Sequence, residues 1–182
     1  MRAAILFLLL AFCFAACRKE AVDIHQTVQK SIAEQDTIPD RAGFKIKLYQ
    51  DTDTYDDILF LFNHRSSRDY DPSYDAAYMP GMGDVSLASI SGDGQDLAVY
   101  TLPYKHGTAV RLDFNTKTDG RFYIKLSYKN KMPSDIAIWL KDTYRKDSVN
   151  LCAAADTFEV RKADARSFGN NRFVLVFREK GK

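Results

Sequence analysis

Val110-Arg111-Leu112-Asp113-Phe114, a turn signal at Asp119-Gly120, and Phe122-Tyr123-Ile124-Lys125-Leu126-Ser127-Tyr128 decide the fold class. Apolar and polar residues alternate in both runs, the period of a strand that is dry on one face and wet on the other. Upstream, Phe44, Ile46 and Leu48 alternate with Lys45, Lys47 and Tyr49, and Ile58-Leu59-Phe60-Leu61-Phe62 is apolar on both faces, as a central strand is. Residues 85–90 and 97–102 flank Gly92-Asp93-Gly94 and read as a hairpin. Downstream, residues 136–140, short runs at 149–151 and 158–160, and residues 172–177 extend the pattern. About nine or ten strands at this spacing, with no periodic helix after Pro39, predict an all-β domain. The expected architecture is an antiparallel β-sandwich, Greek-key or jelly-roll-like, over residues 42–178. No fixed-period repeat points to a propeller or solenoid.

Of the 182 residues, 46% are hydrophobic and 27% charged, a globular composition rather than a disordered one. Lys and Arg number 26 against 24 Asp and Glu, and a net charge of +2 gives no electrostatic case for nucleic acid. Three cysteines are too few for a disulfide scaffold or a four-thiolate zinc site. Cys152 reads as a small buried apolar residue rather than a nucleophile.

The N-terminus carries an address. Arg2 precedes AAILFLLLAFCFAA at residues 3–16, and Cys17-Arg18-Lys19-Glu20 follows, the layout of a secretory signal. The run is shorter than the roughly 18 apolar residues a spanning helix needs. Phe14-Ala15-Ala16-Cys17 resembles the bacterial lipobox, with Phe14 in place of the usual leucine. Cys13 is the competing cysteine, but bulky Phe12 precedes it. Residues 1–16 are therefore expected to be a lipoprotein signal peptide and Cys17 the lipidated first residue of the mature chain. Residues 17–41 would be a polar tether and 179–182 a short tail. The expected location is an outer-membrane lipoprotein facing the periplasm or the cell surface, with the membrane as first partner and the covalent lipid as the expected attached group.

Chemistry is sparse. His25, His64 and His106 are scattered without a zinc spacing, and no G-x-S-x-G elbow occurs. No cofactor and no enzymatic activity are expected. Asp69-Tyr70-Asp71-Pro72-Ser73-Tyr74-Asp75 is the densest polar constellation. Its carboxylates could gather calcium, but the spacing does not fit an EF-hand. The preferred reading is structural: Asp71 and Asp75 accept backbone amides while Tyr74 and its neighbours pin the loop. Tyr100, Tyr104, Tyr123 and Tyr128 would either form an exposed aromatic platform for sugars or pack half-buried at strand edges.

Several short pieces, in order, carry a family resemblance: residues 57–62, Tyr70-Asp71-Pro72-Ser73-Tyr74-Asp75-Ala76, Leu87-Ala88-Ser89-Ile90, Asp93-Gly94, Leu97-Ala98-Val99 and Leu102-Pro103. Gly120-Arg121-Phe122, Ile138-Trp139-Leu140-Lys141-Asp142, Thr157-Phe158 and Asn171-Arg172-Phe173-Val174-Leu175 continue the series. The text resembles a β-sandwich module found near the C-termini of large Bacteroidota surface proteins, adhesin-like or linked to type IX secretion and gliding. The resemblance implies a surface or structural role. Those relatives carry the module on much longer chains; here it is expected to stand alone on a lipid and to use the lipoprotein route. Two functions follow: a non-enzymatic envelope lipoprotein whose sandwich docks another envelope or surface protein, as in adhesion, or a glycan-binding lipoprotein of a polysaccharide-uptake system. Exposed tyrosines along one face would favour the second; an open strand edge or apolar patch would favour the first.

Overall fold

The computed structural model describes residues 41–81 and 83–179. The expected signal segment, Cys17, the expected tether up to residue 40 and the last three residues lie outside the described residues. The strands are β1 (Gly43–Tyr49), β2 (Tyr55–Phe62), β3 (Ala76–Ala77), β4 (Val85–Ile90), β5 (Asp96–Leu102), β6 (Ala109–Thr116), β7 (Gly120–Asn130), β8 (Ile136–Asp142), β9 (Asp147–Asn150), β10 (Asp156–Val160) and β11 (Phe173–Glu179). A single 3-10 turn, Ala165–Ser167, is the helical element among the described residues.

The alternation in the sequence becomes the wall of one core. Phe44, Ile46 and Leu48 of β1, Val110, Leu112 and Phe114 of β6, and Phe122 and Ile124 of β7 are all buried. Phenylalanines supply two nests within it. Phe44, Phe60, Phe62 and Phe177 meet at centroid distances of 4.9–6.3 Å. Phe114, Phe122, Phe158 and Phe173 meet at 4.8–6.2 Å. Burying each such side chain stabilises the fold by about 1.5–3 kcal/mol before the cost of ordering it. At Gly43 a Cβ would collide with the Phe60 carbonyl, so β1 and β2 need glycine there to pair.

The fold is all-β, but the sheet is mixed and continuous. Its order is β10-β7-β1-β2-β5-β4-β6-β11-β8-β9, with β3 on the flank of β5. Among the described ladders, β2–β5 is the parallel one, Leu59 facing Val99 and Phe62 facing Leu102; the purely antiparallel expectation is corrected here. The expected hairpin of β4 and β5 is also cut short, to Ser89↔Leu97 and Ile90↔Asp96. Leu97 has Ser89 and Ala77 as neighbours, and Val99 has Leu59 and Ala76. β2 thus takes over from β4 along one edge of β5, and β4 leaves to pair with β6. β6 and β7 do not pair across Asp119-Gly120 either. β6 pairs with β4 and β11, and β7 with β1 and β10. Their Phe114 and Phe122 rings meet instead across the core at 5.4 Å. Gly120, at φ +148°, supplies the backbone that lets the chain change layers.

The two ends of the sheet, β9 and β10, are tied together, so it curls almost into a barrel. Arg145, in the β8–β9 turn, donates to the Thr157 carbonyl at 2.6 Å and to Asp156 at 2.7 Å. Arg172, just before β11, donates to the Glu159 carbonyl at 2.9 Å and to Asp142 at 2.9 Å.

Candidate functional site

The acidic loop spends its oxygens on its own backbone. Asp75 accepts from the Thr101 amide at 2.7 Å and the Asp71 amide at 2.9 Å, and Asp71 accepts from the Ser73 amide at 2.8 Å. Thr101 Oγ1 donates to the Tyr74 carbonyl at 2.7 Å. The segment leading into β3 therefore lies along β5, with the Asp75 carboxylate standing where a ladder carbonyl would. Burial pushes the Asp75 carboxyl up; the two amides oppose this, and the charges of Asp71 and Asp93 reinforce it. Asp93 accepts from Ser91 Oγ and the Tyr70 amide, which hold its carboxyl below the usual range. Asp69 is exposed. Among the described residues no trio of His, Cys, Asp or Glu is placed to hold a metal.

The four tyrosines read as either a shared platform or half-buried edge packing divide into two pairs. Tyr100 faces Phe60 in the parallel ladder and so points into the core, where its hydroxyl donates to the Arg68 carbonyl at 2.5 Å. Tyr104 is buried with its ring edge-on to Phe62 at 5.7 Å. Neither is ligand-facing: the parallel pairing, invisible in the local text, turned Tyr100 inward. Tyr123 and Tyr128 do face outward, and there they join residues the sequence reading did not single out.

The ladder registers assemble a row across four strands: Tyr55 of β2, Tyr49 of β1, Tyr123 of β7 and Thr157 of β10. At a strand spacing of about 4.8 Å the row is roughly 14 Å long. The next row is Asp57, Lys47 and Lys125, and the one after it Leu59, Lys45 and Tyr128, where the register skips Ser127. Tyr49 and Tyr123 stack at 5.2 Å with an 18° interplanar angle. Lys125 lies 5.0 Å over the Tyr49 ring and Lys47 3.6 Å over Tyr55, while Lys45 pairs with Asp57 at 3.1 Å. Such contacts are worth about 0.5–1 kcal/mol each at exposed sites, so they order the lysines without burying them.

Thr157 is also a wall of a cleft of about 470 Å³ between the sheet ends, where Arg121, Arg161 and Glu159 form the mouth and Tyr144, Arg145 and Arg172 the inner wall. Arg172 is fully buried, and each of its guanidinium nitrogens is hydrogen-bonded. Nε and Nη2 bond Asp142 at 3.1 and 2.9 Å, Nη1 donates to the Glu159 and Ser167 carbonyls, and its guanidinium lies 4.6 Å over Phe158. Burial opposes the charge of Arg145, but Asp156, Asp147 and Asp142 outweigh it and raise its pKa further. Its Nε sits 3.1 Å from Asp142 Oδ2 without hydrogen-bond geometry. Arg121 and Arg161 are exposed and reach Glu159 only at 3.9 Å. Tyr144, whose hydroxyl donates to Asp164 at 3.0 Å, separates this cleft from a second one lined by Lys146, Arg166 and Phe168.

The missed residues had a signal. Lys45, Lys47 and Tyr49 are the polar half of the alternation that marked β1, and Tyr123 and Lys125 are that half of β7. What could not be read locally is that β1 and β7 lie side by side. No protein family, curated protein or solved structure matches this chain.

Proposed function

We propose that the chain is a non-enzymatic envelope lipoprotein, held to a membrane by lipid on Cys17, and that its β-domain binds glycan on the outer face of β2, β1, β7 and β10. The observation that carries this is the Tyr55–Tyr49–Tyr123 row, flanked by lysines and leading to Thr157. Linear saccharide is recognised by aromatic rings and ordered donors repeated along a shallow track, and this face supplies both. The strand text resembling Bacteroidota surface modules fits such a place at the cell surface.

Docking of a partner strand is the less supported reading. β10 pairs with β7 at residues 120–124, which leaves the outer edge of residues 125–130 without a strand among the described residues. Lys125 and Lys129 stud that stretch and Lys131 follows it, and lysines on an edge resist strand addition.

Affinity electrophoresis against a panel of soluble polysaccharides tests the proposal. At least one polymer should retard the wild-type domain, and Tyr49→Ala/Tyr123→Ala should abolish the retardation without moving the melting midpoint by more than a few degrees. Equal retardation of the variant would remove this face from the proposal. For the anchor, Cys17→Ser should leave an uncleaved, unacylated precursor; unchanged processing and fractionation would sink the lipid assignment.

A further inference from the structure

We infer that the glycan bound on this face is an acidic one, and that the arginine cleft at the end of the tyrosine row receives one of its carboxylates; this rests on the glycan reading above. Neutral sugars use aromatic rings by lying against an open ring face. Here the rings share their faces with neighbours: Tyr49 has Tyr123 at 5.2 Å and Lys125 at 5.0 Å, and Tyr55, still half exposed, has Lys47 over one face at 3.6 Å. Beside the rings the surface presents the ammonium groups of Lys47 and Lys125, each held by a ring that uses its charge but leaves its N–H groups to donate to a ligand. Across the face and the cleft mouth Lys45, Lys47, Lys125, Arg121 and Arg161 outnumber Asp57 and Glu159.

The cleft supplies the end point. Tyr123 and Thr157 are register partners, so a chain following the row runs directly to the Thr157 wall. The half-buried Arg145 and the buried Arg172 are committed to Asp142, Asp156 and backbone carbonyls and serve as fixed walls. Arg121 and Arg161 are different: both are exposed and share one carboxylate, Glu159, at 3.9 Å, too far for a hydrogen bond. Their guanidinium forks are matched by a ligand carboxylate, which either can take bidentately, and Glu159 is left to accept sugar hydroxyls.

The test uses polygalacturonate and the same polymer fully methyl-esterified, which keeps the backbone and removes the charge. Wild-type protein should bind the acid at least about tenfold more tightly than the ester, one charge-assisted contact's worth. Arg121→Gln/Arg161→Gln should erase most of that difference. Both residues are exposed, so its melting midpoint should match wild type. Equal binding of the two polymers overturns the inference while leaving the glycan reading intact. Binding of neither polymer overturns it too, and the wider polysaccharide panel then decides the glycan reading separately. Equal binding to polyglutamate, lost in the same variant, overturns both, because charge without sugar would then suffice.

Discussion

Asp71 and Asp75 on the long loop and Asp142 and Asp156 at the sheet ends are both pairs of acids drawn partly or wholly out of water, yet they are kept there by different means. Asp75 is half-buried and relies on main-chain amides of Thr101 and Asp71. Asp142 is buried with a guanidinium: Arg172 Nε and Nη2 bind one oxygen, while the Tyr144 and Arg145 amides bind the other at 3.0 and 3.1 Å. The difference follows burial. A half-exposed carboxylate keeps enough water that two amides suffice; a fully enclosed one needs a counter-charge as well. The loop acid fixes a strand flank, and the paired acids close the sheet.

The largest break in this comparison should come at Arg172. Arg172→Met leaves buried Asp142 with only Arg145 as counter-charge, at 3.1 Å and without hydrogen-bond geometry, and should cost about 3–5 kcal/mol in urea unfolding. Adding Asp142→Leu should recover most of that loss, because an apolar pair of similar volume no longer holds a lone charge. A single substitution costing less than about 1 kcal/mol would show that the sheet ends do not depend on the pair.

Asp75→Ala should cost less, on the order of 1–3 kcal/mol, since it leaves two amides without an acceptor. The loss should be the same in chelator and in calcium. A loss seen only with calcium present would make the loop a metal site.

pH separates Asp75 from Asp164, whose carboxyl is lowered to about 2 by the Arg166 side chain and amide. For a lowered acid, the stabilising contribution is present above the unfolded value of 3.8 and fades as pH falls towards about 2. For Asp75, raised in the fold, the sign is opposite: its contribution is present below 3.8 and is lost as pH rises through the folded value. Relative to wild type, Asp164→Asn should therefore be destabilised near neutrality and converge with it in acid. Asp75→Asn should gain relative to wild type as pH rises above 3.8. Melting midpoints of the three proteins from about pH 2 to 7 check both signs; parallel curves would refute them.

Calcium should do least. Asp71, Asp75 and Asp93 already accept from amides or a hydroxyl, so replacing chelator by millimolar calcium should shift the midpoint by less than about 2 °C. A shift of roughly 5–11 °C, the size expected of a saturated site in a domain like this, would reopen the loop as a metal site.

The positions of the longer strands and most of their dry faces were legible in the residues alone; the two-residue β3 was not. Phe44-x-Ile46-x-Leu48 and Val110-x-Leu112-x-Phe114 are buried as their alternation requires, because side chains on a strand point to opposite faces in turn whatever the strand pairs with. Residues that break the alternation also followed local rules: Gly92-Asp93-Gly94 turns the chain between β4 and β5. Partner choice was not legible. β5 joins β2 in parallel, β4 abandons β5 after two residue pairs, and β7 joins β1, which stands about seventy residues earlier in the chain. Pairing is decided by which combination of dry faces closes a single core around the two phenylalanine nests, a sum over the whole chain that no short window contains. The candidate site inherits that division. Tyr49, Lys47, Tyr123 and Lys125 were each marked as outward by sequence, but their meeting in rows, the inward turn of Tyr100, and the arginine cleft where β10 approaches the β8–β9 turn exist only once the sheet has curled upon itself.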